Sequence, residues 1–185
     1  MLSKIDRYYK LCLAISGSIT AYHCGTDLVG GSFSLNHLGS GEGLLYLGPG
    51  IYFADDKQIA LSYARYALRQ QGKQAHLYKV SIRADGLYDL ARGQPMHLRE
   101  KSIEMQKELC KQFSYKEDKH LCSTDSFKYG KEYIGFIVEK FGQDKARSML
   151  KAIGINGIYE NLPSGALEVC VYDPSIITVI EKSQV

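Results

Sequence analysis

Residues 48–64, GPGIYFADDKQIALSYA, decide how the rest of the chain is interpreted. The run GIYFA follows two glycines and has the apolar and aromatic composition of a β-strand. Asp55 or Asp56 can then cap a helix, and Tyr63 lies on the apolar face of that helix. The segment predicts a strand that carries Tyr52, followed directly by a helix that carries Tyr63.

Length and composition predict one domain over residues 1–185. The hydrophobic content of 45% and the charged content of 23% are ordinary for a soluble protein. Apolar stretches are too short for a signal peptide or a membrane span. Five scattered cysteines without a C-x-x-C pair argue against a disulfide framework and against a metal site. We therefore expect a cytoplasmic protein with no membrane partner.

The positive charge of the chain is concentrated in its middle. Residues 99–151 contain 12 Lys and Arg against 9 Asp and Glu, and the remainder contains 11 of each, which accounts for the net charge of +3. A dedicated nucleic-acid binder usually has a clearer basic stripe. The pattern favours a solvated helical face, although it leaves a nucleic-acid partner open.

Alternation and helical spacing predict strands at both ends of the chain and a helical block at about 95–153. This order indicates an α+β domain with antiparallel sheets. The strands are expected at 18–24, 50–54, 76–82, 157–160, 166–173 and 176–180, with further helices near the N-terminus and after residue 55.

Three predicted strands carry residues whose side chains could take part in binding or catalysis. His23 ends the first of them, and a single histidine in a strand is more often structural than catalytic. Tyr52 in the second could simply pack in the core. Glu168 interrupts the apolar run ALEVCVYD, and strand alternation places it on one face with Cys170 and Tyr172. A carboxylate there is costly unless it is paired or lies in a cleft, so both a site residue and a surface residue remain open.

Three segments in order resemble the H-Y-E class of ADP-ribosyltransferases, which includes diphtheria-toxin-like enzymes and poly-ADP-ribose polymerases. They are AYHCGT at 21–26, GPGIYFADDKQIALSYA at 48–64, and LEVCVYD at 167–173. The segment GSGEGLLYLGPGIYFAD, 39–55, also resembles small bacterial and phage-borne members. The resemblance implies an ADP-ribosyltransferase fold, with split antiparallel β-sheets around an NAD cleft and the helical block between the second and third motifs.

The resemblance also implies roles for individual residues. Tyr52 and Tyr63 would sandwich the nicotinamide ring, and Glu168 would accept a hydrogen bond from the adjacent ribose. His23 would bind the adenosine ribose, while the backbone after it would hold the carboxamide. The implied catalytic residues are Glu168, Tyr52 and His23, and the implied NAD-binding residues are His23, Cys24, Gly25, Thr26, Gly50, Tyr52, Ala60 and Tyr63.

Two positions depart from the family pattern. Many relatives have glycine directly after the histidine, whereas here Cys24 precedes Gly25. Ala60 stands where the polymerases often have serine, so one side-chain hydrogen bond is missing.

The expected function is mono-ADP-ribosyl transfer from NAD to a macromolecular acceptor, either a protein side chain or a nucleic acid. The alternatives are an NAD glycohydrolase and a catalytically silent NAD-binding scaffold. By analogy with small members of the class, the protein is expected to be a bacterial or phage toxin or effector, with an antitoxin or inhibitor protein as a possible partner.

Overall fold

The computed structural model describes residues 17–37, 47–70, 72, 74–84, 86–89, 138, 141–152 and 154–185. The helix predicted near the N-terminus and most of the block predicted at 95–153 lie outside the described residues. The described helices and strands are β1 Ser18–Gly25, β2 Ile51–Ala54, α1 Lys57–Gln70, β3 His76–Arg83, β4 Leu87–Asp89, α2 Gln143–Ala152, β5 Gly157–Asn161, β6 Leu167–Val171 and β7 Ile177–Gln184.

The seven described strands form one sheet in the order β4-β5-β6-β2-β1-β3-β7. Neighbours are antiparallel except β4 and β5, which are parallel. The expected α+β class, with split antiparallel sheets beside a helical block, is therefore wrong for the described residues, which are mostly β with two α-helices. Tyr22 of β1 pairs with Ala54 of β2, and all seven described strands belong to one sheet instead of the two expected. Sequence patterns identify strands, but tertiary contacts choose their neighbours.

The two ladders of β1 differ greatly in length. β1 and β3 pair along eight residues, from Ser18 opposite Arg83 to Gly25 opposite His76. β1 and β2 pair at Tyr22 and Ala54 alone. The sheet is thus held more loosely between β1 and β2 than on either side of them.

Strand alternation divides the buried side chains between the two faces of the sheet. One face carries the main apolar cluster, which includes Phe53, Tyr78 and Val169. The other face carries two smaller clusters, one against α2 around Leu150 and one against α1 around Ala60. Because both faces of the interior strand β6 are covered, all five of its residues are buried.

We expect Gly157→Ala to destabilise the sheet by about 3 kcal/mol, at the upper end for overpacking. A Cβ at this position would lie 2.5 Å from the Cys170 carbonyl oxygen, and main chain cannot easily yield. The control is Gly72→Ala, where only the positive φ of +60° opposes a side chain, at a cost of about 1 kcal/mol. Urea unfolding measures both variants, and equal losses would contradict the packing argument.

Candidate functional site

The pairing of β2 with β6 brings two of the predicted site residues onto one face of the sheet. Tyr52 lies opposite Cys170, and Ala54 lies opposite Glu168. Residues directly opposite in an antiparallel pair project to the same side. Glu168 is 9% exposed, so its carboxylate is buried beside the strand that carries Tyr52.

Helix α1 brings Tyr63 to the Glu168 carboxylate. Partial burial raises the pKa of the Tyr63 phenol, and the charge of Glu168 and a hydrogen bond with it act in the same direction. The Tyr63 side chain is nevertheless 61% exposed. An exposed aromatic ring near a buried carboxylate offers its surface to a ligand.

The two adjacent aspartates between β2 and α1 have different hydrogen-bond partners. Asp56 caps α1, because its Oδ1 accepts hydrogen bonds from the main-chain N–H of Gln58 at 2.7 Å and of Ile59 at 3.2 Å. Asp55 turns to β6 instead, and its Oδ1 accepts a hydrogen bond from the Leu167 N–H at 2.8 Å. Of the two caps that the sequence left open, Asp56 is the one the helix uses.

The Tyr52 side chain is locked by the loop that precedes it. Its hydroxyl accepts a hydrogen bond from the Leu47 N–H at 2.7 Å and donates to the Gly48 carbonyl at 3.0 Å. The hydroxyl of Tyr172 donates to the Leu47 carbonyl, so both main-chain groups of that residue are held by tyrosines. Burial raises the pKa of Tyr52, and the phenol stays neutral. The half-buried ring therefore has a fixed orientation.

His23 lies on the other face of the sheet and contacts Tyr52 only through the main-chain carbonyl of that residue. Its Nδ1 is 2.8 Å from the Tyr52 carbonyl oxygen, which can only accept, so Nδ1 carries the proton. Burial lowers the pKa of His23, and the bond to Tyr52 opposes that shift. The neutral imidazole thus presents Nε2 as a hydrogen-bond acceptor. Its ring contacts Phe33, Phe53 and Tyr78.

Gly25 makes room for the imidazole. A Cβ at this position would lie 2.8 Å from His23 Nε2, because residues two apart in a strand share a face. Cys24 and Gly25 are extended and pair with Leu77 and His76, so the cysteine after His23 needs no unusual backbone conformation. Thr26, just beyond β1, is exposed, and its carbonyl accepts a hydrogen bond from the Tyr78 hydroxyl at 3.2 Å.

The remaining two predicted site residues, Gly50 and Ala60, are packed closely against neighbouring elements. Gly50 lies against β6, where a Cβ would meet both Cys170 Sγ and the Val171 carbonyl oxygen at 2.6 Å. Ala60 is buried between α1 and the sheet, in the cluster that contains Ala54. The Gly50 position thus requires a residue without a side chain, and Ala60 contributes to the packing of α1 on the sheet, whatever the site binds.

The sequence analysis missed one residue near the site and identified a second only as a possible helix cap. Glu160 of β5 lies directly opposite Glu168, so two glutamates share one face of neighbouring strands. Alternation within GIYE carries no sign of this partner, because the register between β5 and β6 is a tertiary property. Asp55 was noticed only as a possible cap, because its bond to Leu167 depends on the pairing of β2 with β6.

Within the described ranges, no group of three or more His, Cys, Asp or Glu residues is arranged to hold a metal ion. The described helices include none that is long and apolar enough to cross a membrane.

No family model and no curated protein matches the chain. Among solved structures, the M. tuberculosis MbcT–MbcA toxin–antitoxin complex aligns at a TM-score of 0.42 and 14% identity, over 95% of this chain and 92% of that one. An anti-CRISPR protein aligns at a TM-score of 0.41 and 16% identity, over 91% of this chain and 98% of that one. Both TM-scores are too low for either likeness to carry an argument about fold or function.

We expect acid to destabilise the wild-type protein more than a His23→Asn variant. The unfolded chain binds a proton on His23 near pH 6.5, whereas the folded chain resists protonation, so stability is lost as the pH falls through 6.5 towards the lowered pKa. Asparagine keeps an N–H donor for the Tyr52 carbonyl and does not titrate. Urea unfolding at about pH 7.5, 6.5 and 5.5 measures the difference. Identical pH slopes would contradict the assignment of a buried neutral imidazole.

Proposed function

We propose that the protein transfers ADP-ribose from NAD to a macromolecular acceptor and releases nicotinamide. The observation that carries this proposal is the buried Glu168 carboxylate, which shares a face with Tyr52, while the exposed Tyr63 lies close enough for that carboxylate to raise the pKa of its phenol. The order and spacing of the three sequence motifs support the same chemistry.

The reaction breaks the bond between ribose C1′ and the positively charged nicotinamide nitrogen. The bonding electron pair leaves with the nitrogen, so nicotinamide departs as a neutral molecule and positive charge develops on the sugar. The acceptor then forms a bond to C1′ and loses a proton. A carboxylate held beside the sugar stabilises the developing cation through preorganised electrostatics. Glu168 is the acidic side chain that the strand pairing places for this task.

The two tyrosines are suited to binding the cationic nicotinamide ring. Tyr63 presents an exposed ring next to Glu168, and Tyr52 presents a ring whose hydroxyl is tied to the Leu47–Gly48 main chain. Stacking and cation–π attraction of this kind contribute about 1–2 kcal/mol. We therefore infer that these rings orient the leaving group before the bond breaks.

His23 would act on the dinucleotide without carrying charge. The proton on Nδ1 is committed to the Tyr52 carbonyl, which leaves Nε2 as an acceptor for a ribose hydroxyl. The side chain lies on the opposite face from Glu168, so one dinucleotide that meets both must cross the loosely paired boundary between β1 and β2. We infer that the adenosine half binds on the His23 side of this boundary.

An NAD glycohydrolase and a silent NAD-binding scaffold are the competing functions. Measurement of nicotinamide release from NAD, with and without a cell lysate as a source of acceptors, distinguishes them. Release that a lysate stimulates, together with label transferred to macromolecules, supports the transferase. Release that no acceptor changes indicates a hydrolase. Binding of NAD without any release indicates a scaffold.

The class of acceptor follows from a second assay. Labelled NAD is incubated with the protein and a lysate, and the products are digested separately with protease and nuclease. Label that resists protease and is released by nuclease identifies a nucleic-acid acceptor; the reverse result identifies a protein. That the transfer makes this protein a toxin or effector, countered by an antitoxin or inhibitor, stays a prediction.

We expect Glu168→Gln to lower nicotinamide release by about 10²–10³-fold without unfolding the protein. The amide keeps the shape of the side chain and removes the charge that would stabilise the sugar cation. The matched control is Glu160→Gln, the same change on the residue directly opposite, on the neighbouring strand. Near-normal release by a folded Glu168→Gln variant, or a loss that follows Glu160 instead, would show that the carboxylate is wrongly assigned.

We expect Tyr63→Ala to weaken NAD binding by about 5- to 30-fold, which corresponds to the loss of 1–2 kcal/mol of ring contact. Tyr63→Phe keeps the ring and removes only the hydroxyl, so it should bind NAD nearly as well as wild type. Isothermal titration of each variant with NAD measures the affinities. Equal affinity of the alanine variant and wild type would show that this ring does not face nicotinamide.

A further inference from the structure

The hydrogen bonds of Asp55 extend the β2–β6 ladder by one residue. Its main-chain N–H donates to the Leu167 carbonyl at 3.0 Å, and its side-chain Oδ1 accepts a bond from the Leu167 N–H at 2.8 Å. A side-chain oxygen thus takes the place of a main-chain acceptor. Leu167 is the residue before Glu168, so both bonds fix the backbone one peptide away from the carboxylate.

This end of β6 needs such a tie. Glu168 is only the second residue of the strand, directly after the turn at Leu162–Ala166, which includes Gly165 at a φ of +84°. Strand ends next to exposed turns open more readily than strand centres. The bonds from Asp55 hold the start of β6 against β2, directly before Glu168, which is where fraying of this strand would begin.

The neighbouring Asp56 fixes the other partner of the same contact. It caps α1, the helix that carries Tyr63. Two adjacent aspartates therefore anchor the two elements that carry Tyr63 and Glu168. We propose that Asp55 is a positioning residue, which holds Glu168 at the reacting sugar through Leu167; this inference rests on the function proposed above.

The role of Asp55 is distinguished by comparing Asp55→Ala with Asp55→Asn. Asparagine retains a side-chain oxygen that can accept the Leu167 N–H and loses only the charge. Alanine loses the acceptor. A displacement of a catalytic group by about 1 Å can cost about 10²-fold, so we expect Asp55→Ala to lower kcat by about 10- to 100-fold while KM for NAD changes little. Asp55→Asn should keep kcat within about threefold of wild type, because the hydrogen bond remains.

Asp173→Ala is the matched control for general destabilisation. Asp173 follows the other end of β6, where its side chain accepts a hydrogen bond from the Ser175 N–H at 3.0 Å and pairs with Lys151. Its loss should destabilise the protein without moving Glu168, so kcat should stay near the wild-type value. A loss of kcat in Asp173→Ala equal to that in Asp55→Ala, at equal folded fraction, would overturn the proposal.

Amide hydrogen exchange gives a readout that does not depend on turnover. We expect Asp55→Ala to speed exchange at Leu167 and Glu168 by about 5- to 10-fold, the equivalent of one lost hydrogen bond, and Asp55→Asn to leave it near wild type. Unchanged exchange in Asp55→Ala, or an Asp55→Asn variant as impaired as Asp55→Ala, contradicts the positioning role. Absence of nicotinamide release by the wild-type protein contradicts the proposed function instead, and the exchange data then decide the role of Asp55 in holding β6.

Discussion

The antiparallel pairing of β2 with β6 is the contact on which the candidate site depends. It places Tyr52 opposite Cys170 and Ala54 opposite Glu168. A slip by one residue would turn Glu168 into the apolar cluster that holds Val169, where an unpaired carboxylate is very costly. Gly50 supports this register, because only a residue without a side chain can lie so close to the main chain of β6.

At the boundary between β1 and β2, candidate residues on the two faces of the sheet are connected. The main-chain ladder is limited there to Tyr22 and Ala54, and the side chain of His23 bonds the Tyr52 carbonyl further along. Tyr52 thus contributes its ring to one face of the sheet and its carbonyl to an imidazole on the other. The same residue couples the carboxylate side of the candidate site to the histidine side.

Local signals predicted most of the described strands and helices and less of their arrangement. The alternation in SITAYHC and HLYKVSI and the run GIYFA correspond to β1, β3 and β2, and the capped apolar face after residue 55 corresponds to α1. The three-residue strand β4 escaped prediction, because so short a segment has no measurable period. The expected split sheets were wrong, because the described strands form one sheet and no local pattern specifies which strands become neighbours.

The amino-acid sequence by itself identified the candidate site residues: a histidine, two tyrosines and a glutamate, within motifs that occur in a recognisable order. It also indicated that Asp55 or Asp56 could cap the following helix and that glycines precede β2, since backbone freedom and local hydrogen bonding act over a few residues. Only the tertiary structure decided that Asp56 caps α1 while Asp55 bonds β6, that Glu160 faces Glu168, and that His23 lies across the sheet from Tyr63. These outcomes depend on strand register and on which strands become neighbours, and both are set by burial and main-chain hydrogen bonds between segments far apart in the chain.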